Sequence, residues 1–194
     1  MTGSVIVSGM EDGYEDALKA KLAPGSVAST LVRAGCFLSA YELIKSEVVD
    51  KVHEFFWRGF EDGSHLYDED TYRDKVLSRN PKSKYRASCD WLVEMQALTA
   101  EQAVTLEEVH KHRNEIAHEL PKLLIDPEFD VKNDLLAAAV ECVRALGVFW
   151  GSIEVETSEE WYDKEVDYQG IKSGSYLLME YLMSIASQLS SPAE

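Results

Sequence analysis

Apolar residues recur at helical spacing through several long stretches of this chain, and this periodicity limits the fold more than any other feature. The first stretch begins at Val27, after Ser26 as a candidate N-cap, and extends as far as Phe60. Its regularly spaced residues are Leu31, Ala34, Leu38, Tyr41, Val48, Val52 and Phe55. No segment alternates with period two over a useful length, although residues 152–156 form a short candidate for extended chain. The pattern predicts an all-α fold, a helical bundle of four to five main helices.

Capping residues and proline mark the ends of the central helix. Thr99, with Gln102 three residues later, has the sequence of a capping box, so a helix is expected from Ala100 to His118, bounded by Pro121. The side of this helix that should pack carries Ala103, Leu106, Val109, Arg113, Ile116 and Leu120. Other helices are expected at residues 84–98, from 129 or 130 to about 150, and after a cap at Ser173.

The remaining segments define the domain organisation. Residues 1–25 are small, polar and acidic, with a Pro24-Gly25 break, and are expected to form a flexible N-terminal arm with a short helix near residues 14–22. Residues 26–194 are expected to form a single helical domain, which includes an acidic segment at 154–167 and a C-terminal helix. The acidic segment solvates the protein, mimics nucleic acid or docks a basic partner.

The net charge of −16 argues against a protein that coats nucleic acid without sequence preference, because such proteins are basic. One local run is nevertheless basic. Lys75, Arg79, Lys82, Lys84 and Arg86 follow one another with no acidic residue between them. Of these, Lys82, Lys84 and Arg86 are candidate RNA-binding residues, and the alternative is a solvated loop that offsets an acidic protein.

Cysteine usage and hydropathy favour a cytoplasmic protein that does not enter a membrane. Cys36, Cys89 and Cys142 are odd in number and lie in apolar helical contexts, so buried thiols in a reducing compartment are expected. The first residues have neither a basic segment nor the apolar run of a signal peptide. No run reaches the ~18 apolar residues that would indicate a membrane span.

The end of the central helix carries a set of side chains suited to phosphate chemistry. Arg113, Asn114 and His118 supply a permanent cation, an amide and an imidazole that titrates near neutral pH. These groups can hold a phosphate and move a proton. On an ideal helix Arg113 and His118 diverge by about 140°, so they converge only if the helix distorts or a second copy completes the site. The alternative is an ordinary Arg and His at a bundle edge, making caps and salt bridges.

The sequence Arg113-Asn114, three further residues and His118 resembles the motif of the HEPN-domain family of all-helical proteins. The opening helix, with the run from Ala34 to Lys45, is similar to that of prokaryotic members of the family. The order of elements also fits: the opening helix, a helix with Trp91-Leu92, and then the motif helix. The resemblance covers roughly residues 27–150 and is most specific at the motif.

The resemblance implies a metal-independent endoribonuclease without a cofactor, of the kind found in toxin–antitoxin and phage-defence systems. Arg113 would stabilise the scissile phosphate, Asn114 would orient the site, and His118 would transfer a proton as a 2′-hydroxyl attacks to leave a 2′,3′-cyclic phosphate. Members form homodimers with the motif helices facing across a cleft. The expected partners are therefore RNA, a second copy, and an antitoxin or regulatory protein.

The sequence departs from one subgroup of that family. Toxins paired with nucleotidyltransferase antitoxins often carry Tyr two residues after the His, and this chain has Leu120 there. Some members lack nuclease activity, so the alternative function is a non-catalytic module that binds RNA, a nucleotide or a protein.

A metal site is the other enzymatic alternative. Glu115 with His118, and Asp50 with His53, have the spacing of carboxylate–histidine pairs in bundle metal sites. Such sites also need a carboxylate from each of two further helices, and the sequence offers no clean set. It also lacks a phosphate-binding glycine loop, a nucleophile elbow and zinc-ligand spacing.

Overall fold

The computed structural model of the chain describes residues 4–189, with side chains from Gly13 onward. Most of the predicted arm forms helix α1 (Ser4–Lys21), which is longer than the expected short helix at residues 14–22 and contacts the bundle. Residues 1–3 of the arm and 190–194 of the predicted domain lie outside the described residues.

The first core helix, α2 (Pro24–Lys45), begins two residues before the predicted Ser26 cap. Ala23 is its N-cap and Pro24 follows, because the fixed φ of proline suits the first helical position. The helix continues through a π-helical turn (Ser46–Asp50) into α3 (Lys51–Glu54). It therefore ends well before Phe60, and the prediction of a helix that extends so far is wrong.

A β-hairpin that was not predicted from sequence follows α3. Strands β1 (Trp57–Glu61) and β2 (Ser64–Tyr67) pair antiparallel, with Glu61 opposite Ser64. The two-residue loop, Asp62-Gly63, has positive φ angles of 49° and 80°. Asp-Gly favours such a turn, because its twist matches that of the flanking strands.

Four helices follow the hairpin. They are α4 (Glu69–Lys75), α5 (Lys84–Glu94), α6 (Ala100–His118) and α7 (Leu120–Ile125). The capping box of Thr99 and Gln102 is confirmed, with both side chain to backbone bonds present. Helix α5 ends earlier than the expected residue 98, because Gln96 adopts a left-handed φ of 60°.

Two further helices complete the described chain, α8 (Asn133–Thr157) and α9 (Gly174–Gln188). Helix α8 begins after the expected residue 129 or 130 and includes residues 152–156, so the extended segment suggested there is wrong. The predicted cap of α9 is confirmed, since the Ser173 hydroxyl accepts from the Tyr176 N–H at 3.1 Å. Two short 3₁₀ turns lie between these helices, Glu159–Trp161 in the acidic segment and Tyr168–Gly170 directly after it.

The core lies between α2, α6, α8 and α9, which pack against one another as a bundle. Each contributes fully buried side chains, including Phe37, Ile44, Leu106, Ile116, Leu136, Leu146 and Met179. Burial of such side chains contributes about 1.5–3 kcal/mol each. The predicted class, an all-α helical bundle, is thus confirmed, with the hairpin as an addition.

Two buried charged side chains tie distant segments to the first core helix. Glu47, in the π-helical turn, accepts a 2.6 Å bond from the Ser175 hydroxyl and pairs with Lys51 at 3.0 Å. Arg33 donates two bonds to the Asp130 carboxylate, at 2.7 and 3.0 Å. These pairs fix α9 and the loop before α8 against α2.

The cysteines are buried and free, as expected. Burial raises the pKa of the Cys89 thiol to about 12 and that of Cys142 to about 11, so these thiols are poor nucleophiles. Two helices, Pro24–Glu54 and Asn133–Thr157, reach the length and mean hydropathy of a membrane span, although no apolar run in the sequence predicted one. Both contribute core residues such as Phe37 and Leu146, although less than half of each apolar stretch is buried.

Candidate active site

Arg113 lies on the face of α6 that packs against α2, with its side chain 31 % exposed. One Nη donates to Asn114 Oδ1 at 3.3 Å, and the other to Glu42 Oε1 at 3.4 Å. The guanidinium also lies 5.1 Å from the centre of the Tyr41 ring. Both distances exceed the usual upper limit of about 3.2 Å for an N–H···O hydrogen bond, so the contacts are weak and the guanidinium can exchange Glu42 for another anion.

Arg113 Nε is buried without a hydrogen-bond partner among the described residues. Buried polar atoms of this kind are uncommon in native proteins. The stem of the side chain is therefore enclosed, while the Nη groups lie at the edge of the bundle beside an exposed carboxylate.

Asn114 belongs to a polar cluster that joins α6 to α2 and α5. Its Nδ2 lies 3.3 Å from His110 Nε2, and His110 Nδ1 lies 2.6 Å from the Tyr41 hydroxyl. The His110 ring stacks on Tyr85, with the ring centres 4.9 Å apart. Burial raises the pKa of the Tyr41 hydroxyl, and Arg113 over its ring opposes that shift. The cluster therefore has an uncharged tyrosine at one end and a permanent cation at the other.

His118 is the last residue of α6 and is exposed. It makes no hydrogen bond or ion pair with any residue that the structure describes, so its imidazole is available to a ligand. The expected end of the helix at this point is confirmed, and Glu119 N–H closes the last turn on the Glu115 carbonyl.

Arg113 and His118 do not meet within one chain. Helix α6 is unbroken between them, so the angular separation of about 140° on an ideal helix applies. Arg113 contacts α2, whereas His118 faces solvent and shares no partner with it among the described residues. The structure therefore brings Asn114 to Arg113 but leaves the imidazole apart.

The two histidines just before the motif, His110 and His112, are partly or fully buried. His112 is 1 % exposed, accepts from the Lys132 N–H at 3.1 Å and donates to Glu115 at 2.8 Å. Phe37 meets the edge of its ring at 5.0 Å. His112 is therefore a satisfied core residue that fixes the loop before α8, and Lys111, between the two histidines, is exposed.

The basic run divides between free and paired side chains. Lys82 and Lys84 are exposed, and Lys84 Nζ lies 5.5 Å from the centre of the Tyr72 ring. Arg86 is exposed but bonded to Glu107, which raises the pKa of the guanidinium and lowers that of the carboxyl. Lys82 and Lys84 are thus the more available of the predicted RNA-binding residues.

The two carboxylate–histidine pairs do not assemble into a metal centre. Glu115 bonds to His112, and His53 bonds to Glu69 at 3.0 Å. Among the described residues, no group of three or more His, Cys, Asp or Glu side chains could hold a metal ion.

Three residues of this site were not predicted from sequence: Tyr41 and Glu42, which contact Arg113, and Tyr85, which stacks on His110. Tyr41 is separated from His110 by 69 positions, so helical spacing on α6 cannot reveal it. A local signal existed for His110, because His110, Asn114 and His118 occupy one stripe at intervals of four.

No model of a known protein family matches the chain, and neither the curated proteins nor the solved structures include a significant match.

Proposed function

We propose that this protein is a metal-independent endoribonuclease of HEPN type. The observation that carries the proposal is the arrangement at the end of α6. Arg113 is oriented by Asn114 at the bundle edge, and the same helix ends in an exposed, uncommitted His118. An accessible guanidinium and imidazole are the groups that cleavage by transesterification requires.

In the proposed reaction each group has a separate role. Arg113 exchanges Glu42 for the scissile phosphate and stabilises the negative charge that builds on it. His118 accepts the proton of the 2′-hydroxyl as that oxygen attacks phosphorus. The bond to the 5′-oxygen breaks, the leaving oxygen takes up a proton, and the products are a 2′,3′-cyclic phosphate and a 5′-hydroxyl. Asn114 positions Arg113 and does not react.

The active unit we propose is a two-fold homodimer. Because Arg113 and His118 diverge on one helix, a second copy is needed to bring an imidazole to the phosphate that Arg113 holds. Lys82 and Lys84 attract the RNA backbone to the cleft by their positive charge, although the net charge of the protein is negative. We place the protein in the cytoplasm as a toxin or phage-defence effector, restrained by an antitoxin or regulatory protein.

His118→Ala tests the nuclease directly. We expect the wild type to arrest growth of a bacterial host and to cleave RNA in vitro in the presence of a chelator, with both effects lost in the variant. His65→Ala is the matched control, because His65 is also exposed but lies on the hairpin. Cleavage only with added divalent metal, or undiminished cleavage by His118→Ala, would contradict the proposal.

One observation favours a second candidate function. Arg113 and His118 have no shared partner within the chain that the structure describes, and Arg113 already has an anion in Glu42. A non-catalytic module would bind the phosphate of RNA or a nucleotide with Arg113 alone. Binding of RNA that depends on Arg113, without cleavage by any preparation, would establish this function.

A further inference from the structure

The polar groups beside Arg113 admit only one arrangement of hydrogens. Arg113 can only donate, so the Asn114 atom 3.3 Å from its Nη must be the amide oxygen. The amide nitrogen of Asn114 then faces His110 Nε2, which must accept its hydrogen. The neutral His110 ring therefore carries its hydrogen on Nδ1 and donates it to the Tyr41 hydroxyl, 2.6 Å away.

Protonation of His110 is incompatible with this arrangement. A hydrogen on Nε2 would face the hydrogens of the Asn114 amide, two donors at 3.3 Å. Rotation of the amide would restore an acceptor to His110, but it would turn the NH₂ group toward Arg113 and break that bond. Charging the ring also adds a cation near the guanidinium. The state of His110 is thus coupled, through Asn114, to the position of Arg113.

We infer that His110 is a positioning residue, which in its neutral form fixes Asn114 and Arg113 and on protonation releases them. The inference rests on the proposed function, because the placement of Arg113 matters for activity only if it binds the phosphate of RNA. It adds to the site a residue outside the motif, together with a sensitivity to pH.

The groups around His110 determine which other interactions a protonated ring would make. Helix α2 presents Tyr41, and α5 presents the stacked ring of Tyr85. On α6 itself, Glu107 lies near the ring and attracts its charge, but Glu107 is already bonded to Arg86. Arg113, with Glu42 beside it, is the cation whose position depends on the ring. Among these contacts Asn114 alone requires Nε2 to accept, so the coupling passes through it.

Two variants separate the role of His110 as a hydrogen-bond acceptor from its ability to take up a proton. His110→Gln places an amide oxygen near the Nε2 position and cannot be protonated, whereas His110→Phe keeps a ring on Tyr85 but offers no acceptor. We expect His110→Phe to lower the cleavage rate about tenfold at pH 8, the effect of losing a hydrogen bond that orients a charge. His110→Gln should recover most of that loss.

Cleavage rates measured again at pH 5.5 separate the effect of protonating His110 from the effect of protonating other groups. A loss of rate shared by the wild type and His110→Gln belongs to groups other than His110, while an additional loss of about five- to tenfold in the wild type alone belongs to His110. Equal pH profiles of the wild type and His110→Gln, or full activity of His110→Phe, would overturn the inference.

Nuclear magnetic resonance tests the same coupling without RNA or activity. We expect the neutral ring to carry its hydrogen on Nδ1, and the Asn114 side-chain amide and Arg113 Nε–H signals to shift with the same midpoint as the His110 ring. In His110→Gln these signals should not titrate. A hydrogen on Nε2, or signals that ignore the ring, would refute the coupling even in an active nuclease. Coupled signals in a protein that cleaves no RNA would confirm the coupling and refute the nuclease instead.

Discussion

Arg113→Lys tests whether the forked guanidinium contacts phosphate. Lysine keeps the charge but cannot reach Asn114 and a phosphate oxygen together, since its ammonium is a compact point charge. We expect the single-turnover cleavage rate to fall about 10²-fold or more, the usual effect of removing a donor that stabilises developing negative charge. Arg73→Lys, an exposed arginine on α4, is the matched control. A rate within a few-fold of the wild type would exclude direct contact between Arg113 and the reacting phosphate.

At the scale of single residues, sequence could reveal the candidates but not their surroundings. Arg113, Asn114 and His118 are adjacent or one helical turn apart, so chemistry and spacing suffice to find them. The contacts of Arg113 with Tyr41 and Glu42 join positions about 70 residues apart and arise only when α2 packs on α6. Packing also buries His112, which its polar chemistry does not predict.

Thr99→Ala tests the cap of the motif helix. The Thr99 side chain accepts from the Gln102 N–H at 3.1 Å, and its loss leaves an N-terminal donor of α6 unsatisfied. We expect the free energy of unfolding to fall by about 1 kcal/mol in urea titrations. Thr105→Ala, within the same helix, should change it by a few tenths of a kcal/mol or less. An equal effect of the two substitutions would show that capping does not stabilise α6.

The Arg33–Asp130 pair should make the contact between α2 and the loop before α8 sensitive to acid. Burial alone would raise the pKa of Asp130, but the bonds from Arg33 and the Val131 N–H lower it overall. The stabilisation is therefore complete above the unfolded pKa, about 4, and is lost as the pH falls through the lower folded pKa.

Asp130→Asn measures that contribution. The substitution should lower the free energy of unfolding by about 1–2 kcal/mol at pH 7, since the pair is partly exposed, and by less at pH 3. Asp90→Asn, an exposed carboxylate on α5, should have little effect at either pH. A pH-independent effect of Asp130→Asn would contradict the assignment.

Whole elements were predictable where their signals were long or chemically specific. The capping box at Thr99 and the cap at Ser173 fixed two helix starts correctly. The hairpin was missed because its strands, Trp57–Glu61 and Ser64–Tyr67, are too short for a clear period. Its Asp62-Gly63 turn was the available signal. Apolar residues continue at helical spacing past Glu54, and this pattern concealed the hairpin.

For the molecule as a whole, the proposed shared cleft predicts a dimer at micromolar concentration. The net charge of −16 opposes association, but salt screens it over about 8 Å at physiological strength. We expect light scattering in physiological salt to give twice the monomer mass of 21.8 kDa. Mixing inactive Arg113→Lys with inactive His118→Ala should restore part of the activity, because one composite site per mixed dimer is then intact. A fully active monomer would refute the shared cleft.

The packing of α9 on α2 determines when the bundle can close during synthesis. Helix α9 packs on α2, and the Ser29 hydroxyl donates to the Leu189 carbonyl across 160 positions of sequence. A nascent chain on the ribosome can therefore form α6 with its motif long before α9, which packs on α2, has left the exit tunnel. The late, long-range contact delays completion of the core, since distant contacts carry a large loop-closure cost. A chain stalled before α9 has emerged would present an open apolar face to chaperones and proteases.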